Sequence, residues 1–197
     1  MNAGAAIATG DVLLFLHADT LLDASACEAI NPVCRDRRVA GGTFRLRFSD
    51  DHFLLRVYAG FTRFRSLLFH YGDQGIFVRR DIFHALGGFA EMPLMEDVDF
   101  LRRLSSVGRI ALCPCPVTTS ARRFLEHGIV RQQLLNAALV LLFRAGAPVE
   151  MLARWYEQPF ETFLSISSTW TASALHAFGI EGATHGGTQK AEEERNR

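Results

Sequence analysis

His17 and Asp19 stand two apart at the end of GDVLLFLHADT, residues 10–20. In an extended segment, residues two apart face the same side. A carboxylate so placed can hold a divalent cation that bridges a substrate's phosphate oxygens. It can equally cap the next helix. A second acidic group, Glu96, Asp97 and Asp99, lies in PLMEDVDFLRRL. Leu101, Leu104 and Val107 follow at helical spacing, so this group falls at a helix N-terminus, where the dipole favours anions. Between the two groups, Asp73, Gln74 and Gly75 lie in a polar turn, and Arg122-Arg123 offer two guanidinium groups further on. One carboxylate site as metal anchor and the other as base is a chemistry these types allow, and helix starts alone would also account for them.

The elements that would position these residues can be read from the pattern. Residues 12–16 are a short continuous apolar run, which reads as a strand buried on both faces of a parallel sheet. Ligands of open α/β sheets bind beyond the carboxyl ends of the strands, where His17 and Asp19 fall. Residues 1–8 are rich in alanine and stop before Gly10, so a helix feeds this strand. Asp23-Ala24-Ser25 starts a helix to about Ile30, with Pro32 near its end. Residues 39–48 alternate, with Phe44, Leu46 and Phe48 on one face and Thr43, Arg45 and Arg47 on the other, as in a half-buried strand. Residues 53–69 are apolar at helical spacing, and their aromatics are expected in the core; an interfacial or partner-binding face is the other reading.

Residues 76–78 read as a short strand, and Asp81 caps a helix ending at Gly87-Gly88. Residues 109–113 read as a last short strand and 117–121 as an extended connection. Helices over about 129–144 and 149–158 follow, and 182–197, made of Gly, Thr and charge, reads as disordered. The alternation of strand and helix gives an α/β class.

With 197 residues, 49% of them hydrophobic, the chain can bury one sizeable core. A formal net charge of zero lacks the basic excess of a general nucleic-acid binder. Lys190 is the only lysine, and arginine forks suit phosphate and carboxylate. Cys27, Cys34, Cys113 and Cys115 form no CxxC pair and are expected to be reduced and structural. No apolar run approaches the ~18 residues of a membrane span. The most apolar piece, 134–143, reads as a buried helix. No basic-then-apolar signal segment opens the chain, so a cytoplasmic enzyme or binding domain is expected. A P-loop nucleotidase with 12–19 as its acidic strand fails, because the chain has no GxxxxGK[ST].

NAGAAIATGDVLLFLHADT, GDQGIFVRRDIFHALGGF, PLMEDVDFLRRL and SARRFLEHGIVRQQLLN, in this order, resemble the family 2 glycosyltransferases of the inverting, nucleotide-sugar type. The likeness runs from Asn2 to about Tyr156. It is strongest to a bacterial subgroup linked to radical-SAM and selenium-domain loci, some members of which are assigned to arsenosugar biosynthesis. The resemblance implies a Rossmann-like nucleotide-diphospho-sugar transferase fold of GT-A type with a mainly parallel sheet, in residues 1–158, followed by a tail over 159–197. It implies a nucleotide-sugar donor and a small-molecule or lipid-linked acceptor. It also implies a cytoplasmic, at most membrane-peripheral, protein with no nucleic-acid partner.

HADT lies where the family carries its Asp-x-Asp metal motif, so Asp19 would bind Mn²⁺ or Mg²⁺ carrying the donor diphosphate. His17 replaces the first aspartate; its ring could ligate the metal, contact the nucleotide, or pack. Glu96-Asp97 matches the pair whose aspartate is the general base, and Asp97 would deprotonate the acceptor hydroxyl. Asp73, Gln74 and Gly75 would line the acceptor pocket. Asn2 and Gly4 would reach the donor. Arg122 and Arg123 are candidates for diphosphate contacts in place of the family's Gln-x-x-Arg-Trp motif, which is absent here.

Family members begin with a strand and a Pro-x-x-Asn-Glu-like segment that holds the base and ribose. This chain starts after it, so the first βα units, about 60 residues at ~30 per unit, are expected to be missing. Met1 then reads as an internal methionine used as a start, and the remaining sheet as one with an open edge. The reading is a hexosyltransferase lacking its N-terminal part. The alternative is a non-catalytic remnant or partner-binding subunit.

Overall fold

The computed structural model describes residues 1–62 and 72–157. In chain order they form α1 (Asn2–Ile7), β1 (Val12–Phe15), β2 (Thr20–Leu22), α2 (Ala26–Arg35), β3 (Val39–Phe48) and α3 (Phe53–Phe61). A single 3-10 turn (Gly72–Gln74), β4 (Ile76–Arg79), α4 (Arg80–Ala85), α5 (Glu96–Val107) and β5 (Arg109–Thr119) come next. Then follow α6 (Arg122–His127), α7 (Ile129–Arg144) and α8 (Val149–Glu157). The chain divides into two units, Met1–Ala153 and Arg154–Arg197, and the sheet belongs to the first. The second half of the helix expected over 53–69, and the tail expected to be disordered, lie outside the described residues.

The class is α/β, but the sheet is mixed rather than mainly parallel. Its order is β1-β4-β3-β5-β2. Only β3 and β5 pair in parallel, while β1 with β4, β4 with β3, and β2 with β5 are antiparallel. The connections explain the difference. A parallel neighbour needs a crossover of a dozen or so residues. Leu16 to Asp19 are all that separates β1 from β2, and β2 goes instead to the opposite edge of the sheet. β4 inserts between β1 and β3, running against both.

β1 is therefore an edge strand, with β4 as its only strand neighbour among the described residues. Only Leu13 of β1 is buried, so the apolar run is not covered on both faces as expected.

Each face of the sheet buries a separate cluster. On one face Phe44, Leu46, Phe77, Cys113 and Val117 meet Ala26 and Ile30 of α2, Leu55 and Tyr58 of α3, and Phe124 of α6. On the other, Leu13, Ala40, Ile76 and Val78 meet Ala5 of α1, Phe83 of α4, and Phe100, Leu101 and Leu104 of α5. Helices on both sides of one sheet give the three-layer arrangement. Close packing at the centre depends on Gly42, where a Cβ would collide with the Ala111 carbonyl oxygen and the Phe77 ring.

Several elements differ from the sequence reading for local reasons. α2 starts at Ala26 and runs through Pro32 to Arg35, because Val33 and Cys34 of its last turn pack on the core. The two segments expected either side of Cys113-Pro114-Cys115-Pro116 are one strand, β5. Phe44 pairs with Cys113 and Arg45 with Pro116, so a bulge takes up Pro114 and Cys115. The 134–143 stretch is not a buried helix: in α7 only Gln132, Leu135, Leu139 and Val140 are buried, while Leu134 and Leu141 are exposed. Of the α3 aromatics Tyr58 is buried, but Phe53 and Phe61 are exposed. All four cysteines are free, as expected. Among the described residues no helix is long and apolar enough to cross a membrane.

Candidate active site

β1, β3 and β5 run in one direction and β4 and β2 in the other. The carboxyl ends of the first three and the amino ends of the other two therefore share one end of the sheet. His17 and Asp19 follow β1, Asp73 precedes β4, and Arg123 follows β5. α5 runs back to the start of β5, so its first turn, with Glu96 and Asp97, also begins at that end.

The segment carrying His17 and Asp19 is tied down by its backbone. The Thr20 amide donates to the His17 carbonyl at 3.1 Å, and the Ser120 amide donates to the Asp19 carbonyl at 3.2 Å. The buried Thr20 hydroxyl donates to Thr119 Oγ1 at 3.1 Å. Asp19 is thus held at the end of β5 with its side chain exposed, and His17 is half-buried. Asp19 does not cap a helix, since β2 follows it and α2 begins only at Ala26.

Electrostatics show how closely the group gathers. The Asp73 carboxyl titrates above its ordinary range. Burial is the largest cause; His17 then pulls it down, Asp97 and Asp19 push it up, and Arg123 pulls it down. Four residues singled out from sequence thus act on a fifth. Beside Asp73, Gln74 is fully buried. Gly75 has φ +62°, and a Cβ there would come within 2.8 Å of Leu16 Cδ2. The turn can lie against the end of β1 because that residue is glycine.

The start of α5 is unusual. Met95, buried and immediately before Glu96, has φ 67°, in the left-handed region. For a residue with a Cβ this costs roughly 1–2 kcal/mol, and such strain gathers at functional sites. Nothing in the local sequence signals it. Glu96 and Asp97 are half-buried, and Asp97 Oδ1 accepts the Val98 amide at 2.8 Å.

Asp99 has a different role from its neighbour. It is buried and accepts Arg103 Nε at 2.7 Å and Arg102 Nη2 at 2.9 Å. Arg103 also donates to the Leu86 and Gly88 carbonyls, at 2.7 and 2.8 Å, which ties α5 to the end of α4. Burial alone would raise the Asp99 pKa, but the bonds from Arg102 and Arg103 outweigh it and hold the carboxyl below its ordinary value. The anchoring role of Arg103 was not recognised from sequence, although its spacing of four from Asp99 is a helix ion-pair signal.

Three residues expected at the donor are not among the groups that act on Asp73. The Asn2 side chain donates to the Phe89 carbonyl at 2.9 Å and accepts the Phe89 amide at 3.0 Å, so its amide is committed to holding α1 in place. Gly4 lies on the exposed surface of α1. Arg122 is exposed, 4.0 Å from Glu126. Among the described residues no group of three or more His, Cys, Asp or Glu side chains is arranged to hold a metal ion by itself. No family model, curated protein or solved structure matches the chain.

Proposed function

We propose that the chain is an inverting glycosyltransferase that moves a sugar from a nucleotide-sugar donor to an acceptor hydroxyl, on a Rossmann-like framework of GT-A type. The observation that carries the reading is the electrostatic group around Asp73, in which His17, Asp19, Asp97 and Arg123 all act on one half-buried carboxyl. The sequence resemblance assigns these positions to one reaction, and the fold gathers them at one end of the sheet.

In the proposed reaction the acceptor oxygen attacks the anomeric carbon, and the bond from that carbon to the diphosphate oxygen breaks. The hydroxyl proton passes to the Asp97 carboxylate, and the nucleoside diphosphate leaves with the bonding electron pair. Asp97 suits this role because it is half-buried at the head of a strained helix start. Glu96 flanks it. Arg123 supplies positive charge for the diphosphate, and Asp73, Gln74 and Gly75 flank the acceptor.

Asp19, with His17 beside it, would hold Mn²⁺ or Mg²⁺. Such ions are commonly bound by one or two carboxylates plus the substrate's own phosphates, so a complete protein cage is not needed. Asp19 and Asp97 both push up the Asp73 carboxyl, a repulsion that a bound cation would lessen. When bound, the ion would neutralise charge on the departing diphosphate.

The test is calorimetric titration of the chain with nucleotide sugars, beginning with UDP-glucose, with Mn²⁺ and after EDTA. Binding is expected to need the metal and to be lost in Asp19→Ala. Asp97→Asn should keep donor binding while transfer falls by about 10²–10⁴-fold. Equal affinity with and without metal refutes the role of Asp19, and an active Asp97→Asn refutes the base. Donor binding with no transfer by the unaltered chain favours the non-catalytic alternative.

A further inference from the structure

A second cleft lies where β3 loses one of its neighbours. The pairing of β4 with β3 ends at Thr43 opposite Ile76, so from Phe44 onward β3 keeps only β5 as a strand partner among the described residues. α3 packs nearby, and a cleft of about 610 Å³ opens between the two. That volume lies within the range of small-molecule sites, ~300–1,000 Å³. None of its lining residues belongs to the group around Asp73.

Charge and apolar surface meet in this cleft. Arg45 and Arg47 are two apart on β3, so both point the same way, and both are exposed. Arg56 of α3, also exposed, lines the same cleft. None of these three guanidinium groups has a hydrogen bond or ion pair among the described residues, whereas Arg79, Arg102, Arg103 and Arg109 all do. Beside them Phe53 is 71% exposed and Val57 40% exposed. Asp50 and Asp51 also line the cleft, and Asp50 is engaged by the His52 amide at 2.8 Å. Among the lining residues three arginines stand against two aspartates, and Asp23 also lies within electrostatic reach of Arg47. Exposed guanidinium forks lining one cleft match the oxygens of a phosphate, and exposed apolar side chains beside them match a hydrocarbon group.

We propose that this cleft binds an amphipathic organic phosphate. Arg45, Arg47 and Arg56 hold the phosphate, and Phe53 and Val57 cover the apolar part. The site is independent of the proposed transfer reaction and stands whether or not that reaction is correct. A soluble phosphate ester and a lipid headgroup present the same chemistry.

The test titrates the full 197-residue chain with octyl phosphate, inorganic phosphate and octyl glucoside. Octyl phosphate should bind saturably, about tenfold or more tighter than either half-probe, because each buried methylene adds to the phosphate contacts. Arg45→Gln, Arg47→Gln and Arg56→Gln should each weaken it about tenfold. Val57→Asp should weaken octyl phosphate more than inorganic phosphate, and Arg144→Gln, an exposed control, should change nothing. Circular dichroism checks that every variant is folded, which the exposure of these side chains favours. No saturable octyl phosphate binding, or unchanged binding when all three arginines are replaced by glutamine, overturns the proposal. Inorganic phosphate binding as tightly as octyl phosphate overturns its apolar part. Given octyl phosphate binding, competition by phosphatidylglycerol-containing vesicles assigns the phosphate to a headgroup and lack of competition to a soluble ester; either supports the site.

Discussion

Replacing Asp99 by asparagine separates anchoring from chemistry in the Glu96–Asp99 stretch. The substitution keeps the shape and removes the charge. Asp99 and Arg103 have side chains only 11% and 24% exposed and meet at 2.7 Å. A hydrogen bond to a charged group contributes about 1.5–3 kcal/mol, against about 1 kcal/mol for a neutral one. Breaking a buried pair outright costs about 3–5 kcal/mol, but the asparagine oxygen still accepts and Arg103 keeps its two carbonyl partners. Arg102 is 65% exposed, so its pair adds at most a few tenths of a kcal/mol. The expected loss is about 2 kcal/mol, or a Tm lower by about 4–8 °C for a chain of this size.

The pH dependence of that loss has a fixed sign. The folded Asp99 carboxyl lies below its ordinary 3.8. Its stabilisation is therefore complete above that value and disappears as pH falls through the folded pKa. Melting followed by far-ultraviolet circular dichroism should show a clear gap between the parent chain and Asp99→Asn at neutral pH, closing on acidification. Equal Tm values at neutral pH, or a gap that persists in acid, would refute the anchoring argument. Any loss of transfer activity in Asp99→Asn should follow the unfolded fraction, whereas the loss in Asp97→Asn should occur in folded protein.

Asp73 has the opposite sign: its raised pKa means that folding becomes costlier as pH rises above 3.8. Asp73→Asn should therefore raise the urea midpoint at neutral pH, with no gain in strong acid; a lower midpoint at neutral pH contradicts the reading. Gly75→Ala must place a Cβ at φ +62° against Leu16 and should cost about 1–2 kcal/mol in thermal melts; an unchanged Tm rejects the assigned turn. Asn2→Ala removes both bonds to Phe89 and should lower stability by about 1–2 kcal/mol. If it weakens donor binding without touching stability, Asn2 is a donor ligand and not a latch.

Elements set by local chemistry were the legible ones. α1, β3, α5 and α7 follow from periodicity and from turn residues such as Gly10 and Gly128. Strand partnership was not legible, because it depends on which distant segments meet. An apolar run of five residues reads the same whether it lies in mid-sheet or at an edge, and β1 is at the edge. The three-residue β2 is too short to carry a pattern; it exists because Thr20 finds Thr119. In the site, residue type and spacing raised His17, Asp19 and Asp97, and the family resemblance added Asp73 and Arg123; the fold brings the five within electrostatic reach. The bonds of Asn2 to the Phe89 backbone could not be read from sequence, because that partner lies 87 residues away. The left-handed Met95 has no sequence signature, since a methionine there is tolerated only through the packing around it.

The four-residue passage from β1 to β2 also bears on when the site forms as the chain folds. It joins opposite edges of the sheet, and Thr20 contacts a residue 99 positions later. Neither edge strand can pair until β4 and β5 have been made, and contacts of such separation slow folding. A nascent chain therefore carries residues 12–15 unpaired until β4 has been made, and the ends of that passage close only when β5 docks. Formation of the acidic cluster becomes a report on the completed sheet: no helix-rich intermediate can hold it, and its recovery should be among the last events of refolding.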